Sequence, residues 1–475
     1  MTDTHPAALR ELLREHQQEH LLRWIDALGA QELAALSAEI ASVDFPLIRR
    51  LFAETAGSGS SAREETPADR ARRATPPARI IRLPRTPEER ADREKAAVVG
   101  RDALKAGKVG VVLVAGGQGT RLGFDQPKGM FPIGPVSGAT LYQILAEQVL
   151  ARSRRAQVAI PYFVMTSDAT HAETSAFFAE HDYFGLNRRD VFFFQQGTMP
   201  AVDANTGRVL LAEKSRIAAS PDGHGGLIRA LSRAGLFDEM RRRGIEYLYY
   251  HQVDNPTAIV CDPAFLGWHI LWQSEVSTKV IAKRAPEEKT GLLMDVDGKT
   301  CIIEYSDLPD DVARMTDSSG GLLHWAGNTA IHVFDRAFLE SIAGSDAALP
   351  YHSARKKVPH INDLGELVEP DAPNAIKFER FIFDVIPQAT RPLVVEADRA
   401  REFNPVKNAS GDDSPETSRK AICEIHGEWL RQSGANVPAG ALVEISPLVA
   451  LDAEDVGAQI RTGNPLSFPL HLPGK

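Results

Sequence analysis

The chain has 475 residues, 43% hydrophobic and 25% charged, with a formal net charge of −9 at pH 7. That length can bury a substantial core without cross-links, and the acidic balance argues against a general nucleic-acid partner. The three cysteines, Cys261, Cys301 and Cys423, are far apart and form no CxxC pair. This argues against a thiolate zinc site or a disulfide framework and makes a reducing compartment the expectation.

Residues 1–55 read as a helical region, with Leu9, Leu12, Leu13, Leu21, Trp24, Ile25 and Leu28 at helical spacing and Gly29 as a helix stop. The first twenty residues are polar and charged, unlike a secretory leader, and no apolar run approaches membrane-spanning length. A cytoplasmic location without a membrane partner is therefore expected. His16-Gln17-Gln18-Glu19-His20 spells an H-x-x-E-H zinc pattern. No third ligand is evident, so a solvated helix face is the expectation. Residues 56–90 read as a linker or long loop, because 57–79 is rich in Gly, Ser, Pro and charge.

From residue 91 the pattern changes. A helix is predicted over 91–106, then a wholly apolar β-rich run over 109–114 that ends in a glycine cluster. Strands at 162–165 and 191–194, a helix at 170–181, a helix at 227–243 and a strand at 247–253 continue the alternation. Alternating strands and helices predict an α/β domain over 91–390, with a mainly parallel, doubly wound, Rossmann-like sheet. Residues 391–475 read as a small C-terminal domain, with strands at 393–396 and 441–445 and a helix at 415–432.

In open α/β sheets, ligands bind beyond the carboxyl ends of the strands. Four polar segments fall there: Ala115–Gly123, Thr166-Ser167, Gln195-Gln196-Gly197 and Asp254-Asn255. The first is the sharpest. Gly116, Gly117, Gly119 and Gly123 allow close backbone approach, and successive N–H groups can cradle phosphate oxygens. Arg121 adds a planar cation for phosphate, and Lys128 a point charge. A ligand-free turn does not need two cations among four glycines. The loop is no Walker A motif, and Leu122 stands where a dinucleotide fingerprint has its third glycine, which disfavours a dehydrogenase. Asp254 could cap a turn or take a metal. Lys377 and Lys407 by themselves read as solvated lysines, and Gln196 as a loop residue or a base-reading amide.

The loop AGGQGTRLGFDQPKG (115–129) resembles the signature of eukaryotic-type UDP-sugar pyrophosphorylases, most closely the UDP-N-acetylhexosamine members. The resemblance runs in order over roughly 95–450, through FFQQGTMPA (193–201), SPDGHGGLIRAL (220–231), VDNP (253–256), IEYSDL (303–308), AGNTAIHVF (326–334), YHSARKKVPH (351–360), NAIKFERFIFD (374–384) and FNPVKNASG (403–411). It implies the nucleotide-diphospho-sugar transferase fold and a uridylyltransferase that joins UTP to a sugar-1-phosphate, most closely N-acetylglucosamine-1-phosphate, with Mg²⁺. It further implies that Ala115, Gly116, Gly117, Gln196, Gly223 and Asp254 contact UTP or its metal, with Asp254 as the metal residue. Arg121, Lys128, Lys377 and Lys407 would serve catalysis. His224, Glu304, Tyr305, Asn328 and Lys407 would take the sugar phosphate. His224 departs from the Asn usual in N-acetylhexosamine members and matches the UDP-glucose type. UTP–glucose-1-phosphate uridylyl transfer is therefore the alternative within the class. A non-catalytic UDP-sugar-binding regulatory protein is the alternative outside it, disfavoured by the retained cations.

Overall fold

The computed structural model describes residues 6–56, 66–345, 349–459 and 466–474. Contacts divide the chain into two compact units. One comprises 1–65, 196–227 and 349–382; the other comprises 66–195, 228–348 and 383–475.

The larger unit is built on a ten-stranded sheet. Its eight-strand path runs Ile80–Ile81, Pro392–Glu396, Val276–Ala282, Ala326–Asp335, Tyr247–Gln252, Val109–Val114, Tyr162–Thr166 and Val191–Gln195. Only Ala326–Asp335 runs antiparallel to its neighbours on this path. Val109–Val114 is apolar at every side chain because both its faces are covered. The hairpin Leu292–Val296 and Lys299–Ile303 attaches beside Ala326–Asp335. The expectation of a mainly parallel α/β sheet holds, and no helix among the described residues is long and apolar enough to cross a membrane.

Several local expectations change. The helix expected over 91–106 begins earlier, at Pro87–Lys105, because Thr86 and Glu89 form a reciprocal cap ahead of it. The expected linker is only partly irregular. Residues 57–65 lie outside the described residues, but Pro67–Arg73 is a helix whose Ala71 packs against Leu292, Met294 and Ile303. The helix expected over 227–243 is two, Leu227–Arg233 and Leu236–Arg242, separated where Gly235 turns left-handed at φ 66°. The strand at 392–396, expected in the C-terminal domain, pairs inside the central sheet. The helix Pro415–Gln432 and the parallel pair Val443–Ile445 and Leu470–Leu472 instead form a satellite core around Leu430, Val443 and Val456 within the larger unit.

The smaller unit explains the N-terminal helices. Pro6–Glu15, Ala30–Ser42 and Phe45–Ala56 bury Leu9, Leu13, Leu36, Ile40 and Ile48 against Met199, Val202, Ile217, Ile376 and Phe378. They form one core with the strand Ala375–Glu379, which carries Lys377. Gly29 caps the start of Ala30–Ser42 rather than ending a helix, and its N–H donates to Glu32. The H-x-x-E-H pattern is broken at Gln17, which adopts φ 57°. The helix has ended at Glu15, so the two histidines do not share a helical turn. His20 is no solvated face: its ring bonds the Val209 carbonyl at 2.7 Å. His16 stacks on Phe45.

Candidate active site

In the larger unit, parallel pairing puts the carboxyl ends of Tyr247–Gln252, Val109–Val114 and Tyr162–Thr166 side by side. The glycine loop leaves the middle strand at Ala115, which is buried and donates its N–H to Met165. The loop closes on itself where Gly119 N–H donates to Gln126 and Lys128 N–H to Gly117. Among the described residues, the N–H groups of Gly116, Gly117 and Gln118 have no protein acceptor. A Cβ at Gly117 would meet nothing within 4 Å, so protein packing is not what keeps that position bare. Unpaired N–H groups in succession form an anion-binding concavity. Arg121 lies exposed on the same loop.

Lys128 and Asp254 close this edge. The Lys128 ammonium stands 3.5 Å from Asp254 Oδ2, and the two side chains are 16% and 15% exposed. Asp254 follows Tyr247–Gln252, and its carbonyl accepts the Val406 N–H at 2.8 Å. That bond ties the neighbouring Lys407 to the same place. Lys407 donates its backbone N–H to Asp413, and its ammonium lies 4.0 Å from the Asp413 carboxylate and 5.2 Å over the Phe403 ring. Burial raises the Asp413 pKa against the opposing pull of Lys407.

The antiparallel strand accounts for a third group. Because Ala326–Asp335 runs against the others, it begins where they end, which brings Asn328 to the carboxyl edge. Asn328 N–H donates to Gly291 at 2.8 Å. A Cβ on Gly291 would lie 2.9 Å from Glu304 Oε1, so Glu304 rests against that backbone. Asn328 and Glu304 thus meet across a glycine that pattern reading passed over; its only signal is the Thr290-Gly291 step after a charged loop. Tyr305 is 48% exposed.

In the smaller unit, a buried ion pair joins the segments that carry Gln196, Gly223, His224 and Lys377. Arg380 donates to Asp222 at 2.6 Å, with both side chains 6% exposed or less. The backbone repeats the join: Asp222 N–H donates to Gly197, Arg380 N–H to Asp222 and Gly225 N–H to Arg380. Gly223 adopts φ 83°, and a Cβ there would sit 2.3 Å from the Arg380 carbonyl, so both the turn and the close approach require glycine. His224 stacks on Phe381, and its Nδ1 accepts the Ile382 N–H at 3.0 Å. Burial, helped by repulsion from His352, pushes its pKa down to about 4. The ring is therefore neutral at pH 7, with its proton on Nε2. Lys377 lies between Ile376 and Phe378, whose side chains enter the helix-covered core, so alternation turns Lys377 to the other face.

Among the described residues, no three His, Cys, Asp or Glu side chains cluster as a metal cage. A single hard carboxylate beside a phosphate-type loop fits instead a divalent cation that keeps waters and takes one or two carboxylates plus substrate phosphates.

Known proteins point the same way. The family model described as UTP--glucose-1-phosphate uridylyltransferase matches residues 70–446. The chain is 40% identical to the UDP-N-acetylglucosamine pyrophosphorylase of Saccharomyces cerevisiae, over 75% of this chain and 77% of that protein. It is 37% identical to the human UDP-N-acetylhexosamine pyrophosphorylase-like protein 1, over 98% of this chain and 96% of that one. The crystal structure of the uridine diphosphate N-acetylglucosamine pyrophosphorylase from Trypanosoma brucei, in complex with an inhibitor, superposes with a TM-score of 0.82 at 28% identity, covering 96% of this chain and 95% of that chain. On its glycine loop, its sheet and its likeness over nearly full length, the chain belongs to the UTP–glucose-1-phosphate uridylyltransferase family.

Proposed function

We propose that the chain transfers the uridylyl group of UTP to N-acetylglucosamine-1-phosphate, forming UDP-N-acetylglucosamine and releasing pyrophosphate. The observation that carries this reading is the Lys128–Asp254 pair beside the unpaired N–H groups of Gly116 and Gly117. The attacking atom is a phosphate oxygen of the sugar phosphate, already anionic at neutral pH, so no general base is needed. The new bond forms between that oxygen and the α-phosphorus as the bond to the pyrophosphate oxygen breaks. Bringing two polyanions together requires positioning and charge neutralisation. In this reading the glycine loop holds the nucleotide phosphates and Arg121, Lys128, Lys377 and Lys407 offset their charge. Gln196 and Gly223 take the nucleotide, while His224, Glu304, Tyr305 and Asn328 take the sugar phosphate. Asp254 would hold Mg²⁺, which supplies charge neutralisation across the phosphates. The free thiols and the composition support a cytoplasmic location.

His224 favours a second reading, transfer to glucose-1-phosphate, because a neutral ring with one N–H offers a donor where an amide offers donor and acceptor together. One assay tests both: pyrophosphate release from UTP with a panel of sugar-1-phosphates, with and without Mg²⁺. Turnover with N-acetylglucosamine-1-phosphate above glucose-1-phosphate is expected. No turnover with any sugar, by protein that still binds UTP, refutes the enzymatic reading; the reverse sugar order selects the second.

A further inference from the structure

We propose that Asn255 is a positioning residue that holds Asp254 and Lys407 in one rigid frame; this rests on the roles given to those two residues above. Asn255 is 4% exposed. Its Nδ2 donates to the Glu402 carbonyl at 2.7 Å. Its Oδ1 accepts from Thr257 Oγ1 at 3.0 Å and from the Asn404 N–H at 3.2 Å. One side chain therefore joins the loop after Tyr247–Gln252 to the segment 402–404, three residues short of Lys407. The Val406 N–H on the Asp254 carbonyl makes the second join. Asn404 adds a third, since its Nδ2 donates to Thr257 Oγ1 at 3.1 Å.

The frame stands on a rigid base. Lys279, 2% exposed in the strand Val276–Ala282, donates to Asp262 at 2.8 Å and also to the Glu402 carboxylate. Burial alone would lower the Lys279 pKa; the two carboxylates outweigh it and raise it. Glu402 is thus held by its side chain from the sheet while its carbonyl receives Asn255. At neutral pH the amide both donates and accepts, which is what the two sides of the frame require, whereas a carboxylate of the same length only accepts. A plain turn residue before Pro256 would need neither join. Misplacement of a charged group by about 1 Å can cost about 100-fold in rate, so a residue that touches no substrate can still set kcat.

The test uses the full-length protein and pyrophosphate release. Wild-type turnover comes first; its absence counts against the proposed function and not against Asn255. If Lys407→Met keeps the wild-type rate, the role of Lys407 fails. In folded Asn255→Ala, kcat is expected to fall about 10–100-fold with KM for UTP within about 3-fold. Asn255→Asp keeps the length but loses the donor towards the Glu402 carbonyl, so its kcat is expected to fall as in Asn255→Ala. Should Asn255→Ala fail to fold, Thr257→Val removes the hydroxyl that donates to Asn255 and accepts from Asn404, and is expected to lower kcat by about 3–10-fold. Combined with Lys407→Met, Asn255→Ala is expected to add less than its separate effect. A folded Asn255→Ala with wild-type kcat overturns the proposal, as does full multiplicativity with Lys407→Met.

Discussion

Lys128, carried by the glycine loop after Val109–Val114, and Asp254, just past the adjacent parallel strand Tyr247–Gln252, stand 3.5 Å apart, each largely withdrawn from water. In the proposed reaction the two part company in function, the ammonium serving phosphate and the carboxylate Mg²⁺. Asp254→Asn keeps the shape and removes the charge. Its kcat is expected to fall by about 10²–10³-fold, the usual loss for a preorganised charge, and its half-saturating Mg²⁺ concentration to rise. Initial rates over a Mg²⁺ titration measure both; an unchanged Mg²⁺ dependence removes Asp254 from metal binding.

Arg121 makes the opposite kind of prediction. Its side chain is exposed and has no ion pair or hydrogen bond among the described residues. Arg121→Ala should leave stability within about 0.5 kcal/mol, as for other surface changes, while kcat/KM falls by about 10²-fold or more. Thermal unfolding and steady-state kinetics on one preparation separate the two. Wild-type kcat/KM would return the loop to a mere turn.

Much of this was legible in the chain because it rests on short-range physics. The apolar run 109–114, the glycine loop after it and the capped helix Pro415–Gln432 follow from period and end signals alone. What escaped depends on partners distant in sequence. Pro392–Glu396 reads as part of a C-terminal domain until Val276–Ala282 and Ile80–Ile81 are seen on either side of it. The reversed strand Ala326–Asp335 is not announced by its composition, yet its direction is what brings Asn328 to the edge. The N-terminal leucines show a helix period, but not that their core includes Ile376 and Phe378 on either side of Lys377. The roles of individual residues came from resemblance, since Lys377 and Lys407 carry no local signal.

Asp222 and Arg380 were passed over for the same reason. The pair is buried and its backbone bonds knit the segments bearing Gly223 and His224 to the end of Ala375–Glu379. Asp222→Ala strands the Arg380 guanidinium and is expected to cost about 3–5 kcal/mol. Arg380→Met in that background removes the stranded charge and should recover part of the loss. Denaturant midpoints of the single and double variants test this. Additive losses in the double variant would mean that the two groups do not act as a pair.

His224→Asn replaces a single N–H donor with an amide that both donates and accepts. A site that hydrogen-bonds a substrate group can reject analogues lacking it by large factors. The expected result is a rise in the N-acetylglucosamine-1-phosphate to glucose-1-phosphate ratio of kcat/KM, by about 10-fold if one hydrogen bond is gained. An unchanged ratio would place sugar choice elsewhere.

Buried histidines are expected to weaken the fold in acid. Burial lowers the pKa of His224 to about 4, of His251 to about 3 and of His426 to about 4. In the unfolded chain each would titrate near about 6.5. Between those values the unfolded state binds more protons than the folded one, so stability is full above about pH 6.5 and falls as pH is lowered. Each histidine contributes a slope of about 1.4 kcal/mol per pH unit across its window. His251 lies fully buried in the strand Tyr247–Gln252, so His251→Leu keeps an apolar fill and removes one proton-binding site. Denaturant midpoints between pH 7 and pH 4 are expected to fall steeply for the wild type and less steeply for the variant. Equal slopes would show that carboxylates, and not this histidine, govern acid unfolding.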